Sequence, residues 1–208
     1  MFQNRVNPFG EIIKTSARGS LMGNRGVIHN DHGEIKQPYK LKAWITCLLQ
    51  FKGRKFTIVA PKRWTALFFL DEATAFAAGH RPCAECRRDD FMKFKSFWIK
   101  GNPEYGFTMK TKIAEIDAVL HNERINANKE KITFEMNVSE IPDGTFVSVN
   151  STAFILFQSC LYEWTPYGYK NVMTLSAISR LTVLTPKSIV KMFGAGYIAS
   201  VQNWQTLT

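Results

Sequence analysis

The chain has no apolar run approaching the ~18 residues that a membrane span requires, and its start, Met1-Phe2-Gln3-Asn4-Arg5, lacks the basic-then-apolar order of a secretory leader. We therefore expect a cytoplasmic protein with no membrane contact. Cysteine is scarce, at four in 208 residues. That argues against a disulfide scaffold and leaves metal ligation or plain burial for the thiols. No Walker or dinucleotide glycine pattern occurs; Ser16-Ala17-Arg18-Gly19-Ser20 and Gly23-Asn24-Arg25-Gly26 could fold backbone N–H groups and guanidinium around a phosphate, but fit neither pattern and read rather as irregular loop within a turn-rich stretch, 1–34.

Acidic residues are also in short supply, 17 against 27 Lys and Arg, for a net charge of +10. The imbalance is uneven. Residues 1–100 hold 18 basic and 8 acidic side chains, whereas 101–208 hold 9 of each. Concentrated positive charge gathers polyanions, so nucleic acid is the expected partner. Gly101-Asn102-Pro103 coincides with the charge break, and we place the boundary between a basic region, 1–100, and a neutral region, 101–208, there.

What is present in quantity is apolar and aromatic, 45% and 13% of residues, ample for a buried core. Alternation from Tyr39 to Phe51 predicts a half-buried strand with Leu41, Ala43, Ile45, Cys47, Leu49 and Phe51 inward. Lys52-Gly53-Arg54 then turns it into a second strand, Lys55 to Ala60. Asp71 is placed to cap an Ala-rich helix, and Gly79 to end it in the left-handed position. Phe91, Phe94 and Trp98 recur at helical spacing as a core stripe. Beyond the boundary the spacing predicts a helix over 111–126, with His121-Asn122-Glu123 facing solvent. Strands follow at 132–136, 145–149, 153–157 and 161–164, and a last helix at 187–193 after Thr185-Pro186. The expected fold is thus α+β: an N-terminal β-hairpin plus two helices around a Cys-x-x-Cys knuckle, then a small antiparallel sheet or partial barrel with helices.

The chemistry centres on His80-Arg81-Pro82-Cys83-Ala84-Glu85-Cys86. Two thiols three apart in a turn at the head of a helix point at one spot, as a tetrahedral zinc site requires. Cys47 is the candidate third ligand, and His80, His29 or His32 the fourth. Phe68-Phe69, Glu72-Ala73, Ala78-Gly79 and Arg81-Pro82-Cys83-x-x-Cys86-Arg87 together resemble, over about twenty residues, the second half of the zinc-binding module at the N-terminus of the Ada DNA-repair protein. The resemblance implies that Cys83 and Cys86 ligate zinc and that Arg81 and Arg87 lie near DNA phosphates. The family has two closely spaced cysteines upstream, one of them its methyl acceptor; this chain has Cys47 alone.

Two enzymatic patterns stand beside this. His32-Gly33-Glu34 with Pro82-Cys83-Ala84-Glu85-Cys86 satisfies the letter of the zinc-deaminase signature, although the His-x-Glu falls in a turn rather than on a helix. His29, Asp31, His32 and Glu34 form a polar cluster able to serve a nuclease through a divalent metal, and His29, His32 and Glu34 are its candidate catalytic residues. The expected function is that of a zinc-stabilised nucleic-acid-binding protein, DNA favoured over RNA, with Arg54, Lys55, Lys62, Arg63, Arg81, Arg87 and Arg88 on phosphates and Trp44 or Trp64 stacking on a base. The alternative is a metal-dependent enzyme acting on nucleic acid or nucleotides, nuclease before deaminase.

Overall fold

Asp71 starts the helix that the rest of the molecule packs around. In the computed structural model, which describes residues 2–53, 63–175 and 179–202, its carboxylate accepts from the Thr74 amide at 2.8 Å and opens α1, Glu72–Ala77. Every residue of α1 is buried. Alanine makes that feasible, because a side chain of one carbon lets three neighbours approach one short helix. Ala75, with Ala78 just beyond, meets Val6, Leu67 and Phe69; Ala73 and Ala77 meet Phe146, Ile155 and Leu184; Phe76 meets Phe94, Trp98, Leu120 and Ile189.

The first of these neighbours is a six-stranded mixed sheet. Its strands are β1 (Gln3–Val6), β2 (Ile12–Lys14), β3 (Leu21–Asn24), β4 (Ile45–Cys47), β5 (Leu67–Phe69) and β6 (Arg81–Pro82), in the order β2-β1-β5-β3-β4-β6. Strand β5 runs parallel to β1, and β6 parallel to β4; the other pairs are antiparallel. Residues 1–34, expected to be loop, thus supply three strands of this sheet. Each is three or four residues long, too short for alternation to register. The turn at Asn30-Asp31-His32-Gly33 forms as expected, bridged at His29 and Ile35, with Gly33 at φ +78°.

The second neighbour is an antiparallel sheet of β7 (Phe134–Asn137), β8 (Phe146–Val149), β9 (Thr152–Phe157), β10 (Cys160–Thr165), β11 (Gly168–Thr174) and β12 (Arg180–Val183), ordered β11-β10-β9-β8-β12-β7. The third is a helical layer of α2 (Arg88–Gly101), α3 (Ile113–Arg124) and α4 (Lys187–Gly194). Phe94 and Trp98 of α2 share one core cluster with Ile116 and Leu120 of α3 and Ile189 and Met192 of α4, so side chains from both sides of Gly101 pack together. The fold is mixed α+β with two sheets. No helix among the described residues is long and apolar enough to cross a membrane.

The predicted hairpin partner at Lys55 to Ala60 lies outside the described residues. The strand expected from Tyr39 to Phe51 shortens to Ile45–Cys47 and faces the other way: Trp44 and Thr46 are buried, while Leu41 and Leu49 are exposed. Trp44 turns inward because cations wait there. The guanidinium carbons of Arg25 and Arg124 each lie 3.9 Å from its ring centre. A base cannot stack on it. His121 and Glu123 are likewise not solvent-facing: His121 packs edge-on against Tyr39, and Glu123 accepts from the amide and hydroxyl of Ser188.

Candidate metal centre

The helix α1 ends where Gly79 takes φ +82°, donating to the Phe76 carbonyl while His80 donates to that of Ala75. That reversal sends Arg81–Pro82 alongside β4, and the Cys83 amide donates to Thr46 at 2.9 Å. The thiol turn is thereby fastened to the strand that ends in Cys47. The sulfurs of Cys47, Cys83 and Cys86 all lie within 4.8 Å of one another. A zinc ion with bonds of about 2.3 Å sets its tetrahedral sulfurs roughly 3.8 Å apart, so small side-chain rotations suffice to close on one.

The surroundings favour the thiolate at Cys83, whereas burial pushes the Cys86 thiol up. Backbone amides of Glu85 and Cys86 donate to the Cys83 sulfur, the first at 3.4 Å, and the Leu48 amide donates to that of Cys86. N–H groups aimed at sulfur favour its charged form and orient it for a cation. The bond from Cys47 pulls the Cys83 thiol down to about 5 and pushes Cys47 up, one shared proton read from its two ends. The donor set therefore fits zinc: three sulfurs, half-buried, converging, with amides behind them.

The fourth ligand does not come from the expected imidazoles. His80 is wholly buried, its Nε2 accepts from Arg25 Nε at 3.2 Å, and its ring packs 4.6 Å from Phe69 and 5.1 Å from Trp44. It does not join the sulfurs. Neither do His29 and His32. Among the described residues no other His, Cys, Asp or Glu enters the cluster, and 54–62, 176–178 and 203–208 contain none of these types. Cys160 stands apart on β10.

The polar cluster expected to serve a nuclease disperses. His29 turns inward, its Nδ1 2.6 Å from the Thr65 hydroxyl, whereas Glu34 is exposed and ion-paired to Lys36 at 2.7 Å. Lys36 and Asn30 hold the Glu34 carboxyl below its usual range, the opposite of a tuned general base. Among the described residues, His29, His32 and Glu34 do not form a metal cluster.

Of the expected phosphate contacts, Arg54, Lys55 and Lys62 lie outside the described residues. Arg63, Trp64 and Arg88 are exposed. The first two line a cavity of about 340 Å³ together with Cys47, Cys83, Cys86 and Phe51. Arg81 and Arg87 need correction. Arg81 is buried in a two-point pair with Asp117, both bonds 2.7 Å. Arg87 is buried among Glu72 at 2.5 Å, Thr46 at 2.7 Å and Asp90 at 2.9 Å. Both guanidinium groups are spent internally, because each follows or precedes a thiol that must be held still.

Sequence reasoning missed Arg124 and Lys131, and weighed Arg25 only as part of a loop that could wrap a phosphate; Arg25 and Arg124 meet around Trp44, and all three line a basic cavity. They are 99 and 7 residues apart in the chain, and no local pattern joins them. Compared with protein-family models, curated proteins and solved structures, the chain matches none.

Proposed function

We propose that this is a zinc-stabilised nucleic-acid-binding protein, with DNA the favoured polymer. The observation that carries the reading is the convergence of Cys47, Cys83 and Cys86 within 4.8 Å. Zinc, when bound, cross-links the end of β4 to the turn before α2, and such a link contributes on the order of 10 kcal/mol to folding a small site. The residues then do the rest. Exposed Arg63 and Arg88 flank the thiol turn, the basic stretch Arg54-Lys55 through Lys62 precedes it in sequence, and half-exposed Trp64 stands at the cavity rim beside the sulfurs. Cations with an adjacent aromatic suit a phosphate backbone and an unstacked base.

One observation favours the second reading, a metal-dependent enzyme on nucleic acid or nucleotides. Three protein ligands with a fourth position left over is the ligand count of catalytic zinc. All three cysteines line the same cavity as Arg63 and Trp64, so both readings use one surface.

Elemental analysis of purified protein should find one zinc per chain, lost in Cys83→Ser and retained in Cys160→Ser. Affinity for duplex DNA should fall steeply between ~50 and ~200 mM salt and weaken in Arg63→Ala and Arg88→Ala. Zinc-free protein, or binding to neither DNA nor RNA at ~50 mM salt, overturns the reading. Hydrolysis or deamination of the bound polymer, lost with the metal, would move the conclusion to the enzyme.

A further inference from the structure

The positive charge of this protein is not all on its surface. Arg25 and Arg124 are 1% and 2% exposed. Arg81 has Asp117 and Arg87 has Glu72, yet Arg25 has only neutral partners: Nε donates to His80, and Nη1 to the Pro38 carbonyl at 3.4 Å. Among the described residues its buried Nη2 has no acceptor, and neither has Arg124 Nε. Arg124 otherwise donates to the carbonyls of Gly79 and Lys42, and its Nη2 lies 3.1 Å from His121 Nδ1. Lys131 brings a third cation, whose ammonium donates to the Ala77 carbonyl and keeps further hydrogens to give. Burying a charge without a counter-charge is among the most expensive things a fold can do. Burial depresses Arg25 and Arg124 to about 9 and Lys131 to about 7; repulsion from Arg124 adds to the effect on Arg25, and repulsion from both arginines to that on Lys131, while Asp117 partly offsets Arg124. Something of opposite charge belongs among them.

The place for it exists. Arg25, Arg124 and Lys131 line one cavity of about 580 Å³, a size that suits small organic ligands. Lys129 adds positive charge at its wall, while Lys36 is paired with Glu34. The two acidic side chains there, Glu11 and Glu130, keep their charge, their hydrogen bonds coming from the neutral amides of Asn7 and Asn126, so the cations of the cavity outnumber its carboxylates. Gly10 faces Arg25 across the opening; even a Cβ built there would stay 3.9 Å from Nη2. Phe9, Ile12, Ile35 and Pro38 provide apolar wall for the body of a ligand.

We infer that this cavity binds a phosphate monoester, its dianion held by Arg25, Arg124 and Lys131 and its organic part against Phe9, Ile35 and Pro38. Three cations lining one cavity call for more charge and more oxygens than a single carboxylate carries. The phosphate can come from a free mononucleotide or from the 5′ end of a polynucleotide. The inference stands apart from the zinc cluster and from any binding along a polymer, so each can fail without the other.

The test is thermal unfolding and calorimetric titration of the full chain with inorganic phosphate, against potassium chloride at equal ionic strength. Phosphate should raise Tm saturably and chloride should not. Because Arg25→Met removes a buried group and risks misfolding, Lys131→Met is the companion variant: its side chain is only half-buried. Both should weaken phosphate at least tenfold, while Lys170→Met leaves its affinity unchanged. Adenosine 5′-monophosphate binding as tightly as a 5′-phosphorylated oligonucleotide assigns the free nucleotide; at least tenfold preference for the 5′-phosphorylated over the 5′-hydroxyl oligonucleotide assigns the chain end. Phosphate stabilising no more than chloride, or a folded Lys131→Met binding it like the parent, overturns the inference.

Discussion

Replacing Asp117 by Asn should be among the most damaging isosteric changes in this chain. The carboxylate and the Arg81 guanidinium are both about 94% buried, and their two parallel bonds are 2.7 Å each. Asparagine keeps the shape but removes the charge, leaving Arg81 buried beside Phe91 and the backbone of Pro82 with no anion. Breaking a buried pair from one side costs about 3–5 kcal/mol. Against a total of roughly 5–15 kcal/mol for a typical domain that is a large share, and for a chain of this size it corresponds to roughly 6–20 °C in Tm. The loss should exceed that pair alone, because Asp117 is also the carboxylate that offsets the charge of Arg124. Urea and thermal unfolding of zinc-loaded protein give the number. Removing both partners, as Arg81→Met with Asp117→Leu, should recover most of it, since neither charge is then stranded. A loss below about 1 kcal/mol in Asp117→Asn, or a double variant no better than the single, would refute the claim that the pair is desolvated.

Gly79→Ala should cost about 2–4 kcal/mol in the same assay: a side chain at φ +82° is worth about 1–2, and the new Cβ would fall 2.5 Å from Arg124 Cδ, endangering the bond of Arg124 to the Gly79 carbonyl. Gly53→Ala, with nothing within 4 Å, should pay the backbone term alone. The pH dependence of stability should carry the mark of Lys131. Its folded pKa, about 7, lies below the ordinary 10.5, so between those values the unfolded chain holds more protons and stability rises with pH. Arg25 and Arg124 add to the rise above about pH 9. Stability of Lys131→Met measured from pH 7 to 9 should be flatter; a parallel curve would show that the ammonium is not depressed.

The sequence told most where the physics is local. Asp71 as cap, Gly79 as left-handed terminator, the aromatic stripe of α2 and the thiol spacing each depend on a few adjacent residues, and each is found in place. The same holds for α4, whose Gly196 repeats at φ +103° the terminator of α1. Cys47 was legible as a ligand for a partly wrong reason. It was placed on an inward face shared with Leu41 and Leu49, whereas that face is the open one and the sulfurs meet there. Alternation divides a strand into two faces; what lies across from each decides which is buried. Here Trp44 is drawn in by Arg25 and Arg124, from distant parts of the chain. That Arg25 and Arg124 are buried together was illegible for the same reason. Arginine counted from composition looks like surface, and only tertiary contacts separate Arg88, in solvent, from Arg87, one residue earlier and 7% exposed.

That adjacent pair offers the sharpest separation of structure from binding. Arg87 follows the last thiol and ties three elements at once: Glu72 of α1, Thr46 of the strand carrying Cys47, and Asp90 in the first turn of α2. Thr46 also accepts the Cys83 amide, so the guanidinium and the sulfurs are fixed to one strand. Losing an outer contact of this kind typically costs 10–100-fold in metal affinity without touching a ligand. Arg87→Met should therefore bind zinc about 10–100 times more weakly, measured by competition with a chelator, yet bind DNA normally at saturating zinc. Arg88→Met should do the reverse, keeping zinc affinity while flattening the salt dependence of DNA binding by about one ion. If Arg87→Met held zinc like the parent and lost DNA, the guanidinium would be reaching phosphate after all, and the ion pair with Glu72 would have to open in the complex.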